Sequence, residues 1–407
     1  MADYILSFLS QRFEPLGVLR KNSMRQEFLS AEWGRYAGAV GKLRVTFTDD
    51  AFSWDLLQPD TIVLPFRSVQ PGIFKLDMES AFLVHTRQRI FAAGQKAISL
   101  ECACGNDLLR RRIVDAASGT AQASKSGAAG DVMKAIVREQ MGSSAGTRDL
   151  APYFATQADA GHGASVSKAF AWRNVLPVLQ ELAFASMQSG TYCTFDTVYD
   201  AANNRFEFRT YADQRGIDRR SGTPLDLVLD PDRGTIDDVS VTESWDREVN
   251  YVRAGSKGEG TARVVVNFSD VARRDRAPLA RREAFVDARN TNTFSELYGE
   301  AISAVYAGRP TQVTVGRVQE TQGTIYGLDW GYGDYVRVQV EGRAQATRLE
   351  GVSVQISESG VEAVKAAVEY EHSSSRTCDA TEIRRAPVYA GCRSHPTDGG
   401  SYALCAY

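Results

Sequence analysis

Apolar and polar residues alternate in short runs over the first hundred positions. In Lys42-Leu-Arg-Val-Thr-Phe47, Leu43, Val45 and Phe47 share one face of an extended chain, because successive strand side chains point to opposite sides. Thr61–Pro65, Phe82–His85 and Arg89–Ala92 follow at short intervals, with Pro71-Gly72 and Ala93-Gly94 as turn signals. Strands at this spacing predict a small β-barrel or sandwich. Alternation also puts Ile98, Leu100, Cys102 and Cys104 on one face, where a free Cys packs as a small hydrophobe. Cys193 reads the same way.

The period then changes. Residues 116–130 are rich in Gly, Ser and Ala and read as a linker or loop. Asp131 is placed to cap a helix running to Met141. A second helix is expected from Asn174 to Ser189, with Trp172, Leu176, Leu179, Ala183 and Met187 as its stripe and Pro177 in its first turn. A hairpin follows: Tyr192–Tyr199, a turn at Asp200–Asn204, then Arg205–Tyr211. Strands return between Val239 and Phe268 around the glycine turn Gly255–Gly260, and a charged loop follows. A helix over Phe294–Ala307 opens with a Thr293/Glu296 capping box and carries Leu297, Ala301 and Val305 in one row. Strands close the pattern at Val313–Gln319, Tyr335–Val340 and Val352–Ser357. From Glu369 periodicity fades into an irregular tail, residues 370–407. The fold class is α+β, and the rhythm of strands, α+β unit, then strands with an embedded helix hints at two related halves.

Composition narrows the function. The 407 residues carry a net charge of −3, with 43% hydrophobic and 24% charged residues. That is a globular chain of two to four domains with no general attraction for nucleic acid. No apolar run reaches the length of a membrane helix. The first seventeen residues are too polar for a signal peptide.

The search for chemistry is sparse. The four histidines, His85, His162, His372 and His395, form no metal or nucleophile motif. His162, between Gly161 and Gly163, reads as an exposed loop residue. The carboxylate pairs Asp196/Asp200 and Asp237/Asp238 read as solvated turns, not as a glycosidase pair. Arg110–Arg112 and the group Arg273, Arg274, Arg276, Arg281 and Arg282 read as solvated loops or interface ion pairs. Cys378, Cys392 and Cys405 lie in the tail without a C-x-x-C pair. Free thiols, one disulfide and a metal or cluster all stay open there. No catalytic, cofactor-binding or metal residue is assigned, and no cofactor is expected.

Several ordered stretches resemble the siphovirus tail-hub family, the baseplate hub or tail-associated proteins of long-tailed phages. They are Cys104-Gly-Asn-Asp-Leu-Leu-Arg-Arg-Arg-Ile113, Arg209–Arg219, Val249–Gly260 and Leu349–Ile356. The most specific is Tyr326-Gly-Leu-Asp-Trp330-Gly-Tyr-Gly333-Asp334-Tyr-Val336-Arg-Val338. There Gly333 suits a positive-φ turn position and Asp334 can accept backbone N–H groups. Val336, Val338 and Val340 then feed one face into a core.

The resemblance covers most of residues 1–368. It implies two small β-barrels, each paired with an α+β domain. The expected division is 1–115 as the first barrel and 116–238 as the first α+β domain. Residues 239–280 with 309–368 would form the second barrel, 281–308 the helical segment of a second α+β domain, and 370–407 a Cys-containing tail. It further implies a non-enzymatic, trimeric ring of the virion, assembled in the host cytoplasm. The ring would sit below the tail tube, contact the tape-measure and distal tail proteins, and pass DNA only as cargo, without membrane insertion. A tail-borne cell-wall or carbohydrate-degrading enzyme is the first alternative. A glycan-binding module with Trp330, Tyr332 and Tyr335 as its platform is the second.

Overall fold

The computed structural model describes residues 3–92, 95–115, 122–170, 172–220, 227–289, 291, 293–321, 323–340 and 343–371. Its helices are α1 (Asn106–Arg110), α2 (Ala129–Met141), α3 (Val175–Gln188), α4 (Val271–Arg274) and α5 (Phe294–Ala307). Strands make up most of the remaining regular structure.

One twelve-stranded sheet runs through both ends of the chain. From one edge its order is Ile236–Ser244, Thr311–Val318, Glu362–Glu371, Gly351–Ile356, Ser30–Tyr36, Lys42–Thr48, Gln95–Cys104, Phe82–Ala92, Ile62–Gln70, Tyr4–Leu9 and Pro15–Lys21, with Ile73–Leu76 attached to Ile62–Gln70. Among the described residues this pairing is open and does not close into two barrels. Its C-terminal and N-terminal strands meet at the antiparallel pairing of Ser30–Tyr36 with Gly351–Ile356. Gly34 stands opposite Ser353, and a Cβ at Gly34 would lie 3.0 Å from the Ser353 Cβ and the Val352 carbonyl. The missing side chain lets the two halves approach.

The predicted alternation is present. Leu43, Val45 and Phe47 are buried while Lys42 and Arg44 are exposed, and Ile98, Leu100, Cys102 and Cys104 all face inward. Trp33, Phe47 and Phe82 of the N-terminal strands share one apolar core with Val336, Val338, Val354 and Val364 of the C-terminal ones. Ile62, Val63 and Leu64 are buried in succession, because Val63 joins this core while its two neighbours join a second one on the opposite face.

That second core belongs to the first α+β unit. It packs α2 and α3 on a three-stranded sheet, Phe154–Thr156, Arg205–Ala212 and Cys193–Asp200. Three expectations change here. Within the expected 116–130 linker, Ala123–Ala128 form a strand paired with Ser165–Phe170; residues 116–121 lie outside the described set. Helix α2 begins at Ala129, ahead of Asp131, because the carbonyls of Ala164 and His162 accept from the Ala129 and Gly130 N–H groups. Asp131 instead accepts from Ala160 and Gly161. In α3, Leu176, Leu179 and Ala183 are buried as expected, but Trp172 is 67% exposed and Met187 lies at the surface. Trp172 sits before the Asn174 cap with φ +57°, so it leaves the helical row.

The second α+β unit has its own core of Val252, Ala254, Val266, Leu297, Ala301 and Val305. The predicted capping box and apolar row of α5 are both present. Tyr251–Gly255 pairs antiparallel with Val265–Ser269 and parallel with Glu283–Asp287. The expected charged loop thus contains a strand. Segment 239–280 is also divided, since Ile236–Ser244 lies in the large sheet and the next two strands pack under α5. Cys378, Cys392, Cys405, His372 and His395 lie outside the described residues.

Thr293→Ala removes the side-chain half of the α5 cap and is expected to cost about 1 kcal/mol. Urea unfolding of the second unit measures it, and an unchanged midpoint would show that the cap contributes nothing.

Candidate functional site

The first α+β unit meets the large sheet at a buried carboxylate. All eight residues of Cys193–Asp200 are buried, and Asp196 lies on the face opposite Cys193 and Phe195, which pack into the helical core. Its Oδ1 accepts from Arg35 Nη2 at 2.7 Å and Asn106 Nδ2 at 3.0 Å. Its Oδ2 accepts from Arg215 Nε and from the Tyr332 hydroxyl, both at 2.9 Å.

Each donor comes from a different element. Arg35 continues the inward row Ala31, Trp33 on Ser30–Tyr36. Asn106 opens α1, and its Oδ1 accepts from the Thr197 N–H at 2.7 Å. Arg215 lies in the turn after Arg205–Ala212, stacked 4.5 Å over the Tyr332 ring, with Nη2 on Glu79 at 3.0 Å. Burial alone would weaken the Arg35 charge, but Asp196 beside it holds the guanidinium firmly protonated. Burial, and then Asp196, keep the Tyr332 phenol neutral far above its ordinary value.

The Tyr326–Val338 stretch supplies the last wall. Gly333 has φ +84°, and a Cβ there would lie 2.5 Å from the Arg215 Cβ. Asp334 accepts from the N–H groups of Ile217 and Gly331 and from Arg219 Nε at 2.5 Å. Nearby, Asp77 accepts from Trp33 Nε1 and the Tyr326 hydroxyl, each at 2.6 Å. Burial raises the Asp77 pKa despite those two bonds. Arg67 ties the same corner to Glu362 at 2.8 Å, to Glu320 at 2.5 Å and to the Tyr326 carbonyl at 2.7 Å.

This framework has relatives. The sequence profile of the siphovirus ReqiPepy6 Gp37-like proteins matches residues 24–368. The chain belongs to that family. The resemblance to siphovirus tail-associated proteins is therefore borne out. The Gp37-like fold is similar to a tail protein from Neisseria meningitidis MC58, with TM-score 0.55 and 12% identity over 90% of this chain and 96% of that one. It is also similar to the 43 kDa tail protein of prophage MuSo2 from Shewanella oneidensis, with TM-score 0.52 and 11% identity over 90% and 97%. No curated protein matches it.

The remaining candidates of this Gp37-like chain serve as fastenings. Asp107, itself buried, binds Arg110, Arg111 and His85, the last at 2.9 Å. Arg273, Arg276 and Arg282 converge on Glu248, whose side chain is fully buried. Arg273 also donates to the Val305 and Gly308 carbonyls at the end of α5. Arg273 is thus a buried internal partner, while Arg110, Arg111, Arg276 and Arg282 form ion pairs from partly exposed positions; Arg274 and Arg281 pair with neighbouring acids.

His162 is half-buried, with Nδ1 3.1 Å from Thr210 Oγ1. Of the carboxylate pairs, Asp196 is buried, Asp200 binds Asn203 at 2.6 Å, and Asp237 binds Gln319. Burial pushes the Cys193 thiol up to about 11 and raises Cys102 and Cys104 as well, which disfavours thiolate chemistry. Trp330 and Tyr332 are buried, so neither offers a sugar a stacking face. Among the described residues, no group of three or more His, Cys, Asp or Glu is placed to hold a metal.

Sequence reasoning missed Arg35, Arg67, Arg215, Trp33 and Asp77. Arg35 did leave a trace, an arginine on the apolar side of an alternating strand.

Asp196→Ala leaves two buried guanidinium groups without their carboxylate and is expected to cost about 3–5 kcal/mol. Tyr332→Phe should cost about 1 kcal/mol. Equal, small losses in urea unfolding would refute the junction as the main fastening.

For Asp107, burial opposes ionisation, but Arg111, His85 and Arg110 together hold its pKa below the ordinary value. Its contribution is complete above about pH 4 and is lost as pH falls through the lowered folded value. Stability measured against pH should therefore show a weaker acid-side loss in Asp107→Asn.

Proposed function

We propose that this chain is a structural protein of the virion: a phage tail-tip hub. Three copies would close a ring below the tail tube, contact the tape-measure and distal tail proteins, and control the DNA exit channel. The observation that carries this reading is the family match over 24–368, which takes in most of the shared core and its fastening arginines. Two barrel-like halves, each with an α+β unit, are the matching division, and the separate core of 251–308 supports counting that segment as the second unit.

A non-catalytic role fits the site. The carboxylates Asp196, Asp107, Glu248 and Asp334 are each engaged by arginine, so their charge serves to hold elements together. The burial of Trp330 and Tyr332 weighs against a glycan-binding module. A ring requires the same heterologous contact to repeat and close.

Light scattering of the purified protein should give the mass of three chains, and microscopy of the native particle should place the ring on the tail axis. A persistent monomer with no density on that axis would remove the hub reading.

A further inference from the structure

The second α+β unit is joined to the rest of the molecule in an unusual way. It is inserted between Ile236–Ser244 and Thr311–Val318, neighbouring strands at one edge of the large sheet, whose last pair is Ser244 with Thr311. Its own root is tightly fastened. The Val249 N–H donates to the Gly308 carbonyl at 2.7 Å, and Arg273 binds the Val249, Val305 and Gly308 carbonyls together. Entry and exit are therefore locked to each other, and the unit can move only as one body. Glu248 takes Arg273, Arg276 and Arg282, and the Trp245 carbonyl accepts from Arg282, so the lock reaches back to Trp245; Arg309 is tied to Tyr306 of α5 on the exit side. The freedom that remains lies at the two junctions with the sheet, Ser244–Trp245 and Pro310–Thr311.

The other contact is with the first unit, where α5 faces α3. The apolar cores of the two units are separate clusters. The seam holds a cleft of 390 Å³ lined by Ser124, Ser167, Lys168, Glu181, Asp287 and Glu300, among others. Lys168 Nζ lies 3.1 Å from Glu181 of α3 and 3.0 Å from Glu300 of α5. Ser303 of α5 donates to Gln188 of α3 at 3.4 Å. All three charged groups of the bridge keep a fifth to a third of their side-chain surface in solvent. Polar interfaces of this kind permit relative domain motion, and partly exposed ion pairs hold weakly and yield to salt.

We propose that the second α+β unit is a detachable arm, hinged at its two junctions with the sheet, Ser244–Trp245 and Pro310–Thr311, and held closed against α3 by the Lys168 bridge. Opening exposes α3 and the cleft-facing side of α5 together, without breaking either core. The proposal stands independently of the tail-tip reading.

The test uses spin labels at Ala160→Cys on the first unit and Leu279→Cys on the second, both exposed positions. Cys378, Cys392 and Cys405 are changed to Ser in the full chain. At about 0.1 M NaCl a single narrow distance is expected. Raising NaCl to about 1 M, where the screening length falls to about 3 Å, should add a longer distance. Lys168→Ala should enlarge that fraction about two- to fivefold, as loss of a partly exposed ion pair allows, and Lys168→Arg should restore it. If Lys168→Ala does not fold, the salt series on the unmutated bridge decides. A distance unmoved by salt and by Lys168→Ala overturns the arm. A distribution already broad at low salt overturns the clip.

Discussion

Asp196 is the point on which the architecture depends. Large sheet, first α+β unit, α1 and the Tyr326–Val338 stretch each send one donor to it. Removing such charges from water costs several kcal/mol per ion, so the arrangement is tolerable only when every donor is in place. With two donors on each oxygen, few alternative dockings satisfy the carboxylate. Position and register are thereby coupled: a slip of Ser30–Tyr36 by one residue would turn Arg35 to the opposite face. The influence extends outward through Arg215, whose Nη2 also reaches the Met78 carbonyl. Met78 and Glu79 are both left-handed, at φ +52° and +50°, a conformation that needs surrounding support.

A similar economy joins the two halves of the sheet. Lys21 is buried and donates to the Phe28, Leu29 and Glu358 carbonyls, so one ammonium closes a loop of the N-terminal half onto a turn of the C-terminal half. Arg67 does the same with Glu362 and Glu320. Long, flexible cationic side chains are used here as internal braces, and the partners Glu358, Glu362 and Glu320 come from remote sequence. Some of the chain's 47 basic and 50 acidic residues thus act inside the fold.

Local features were readable from sequence and remote ones were not. The face of Lys42–Thr48 and the Thr293/Glu296 cap depend on neighbours within a few residues, so alternation and spacing located them. Gly333 and Asp334 were also readable, because a turn imposes its own chemistry. The strand Glu283–Asp287 was hidden because its large apolar residue, Phe285, faces solvent while the smaller Ala284 and Val286 turn inward. The start of α2 was hidden because its cap comes from carbonyls at 162 and 164. Nothing local distinguishes Asp196 from Asp200; only the fold brings arginines 35 and 215 to one of them. The pairing of 30–36 with 351–356, which makes one sheet of two halves, is equally invisible to any short window.

The pairing of Ser244 with Thr311 has a consequence for how such chains can change over time. These residues are already partners in neighbouring antiparallel strands, so a tight turn could join them directly. Everything from 245 to 310 hangs from that single step. Because strand register is set on either side of it, the segment could be lengthened, exchanged or lost while the sheet and its shared core stay in place. Differences in size among related chains have a natural place to accumulate there, at the cost of a hinge rather than of the frame.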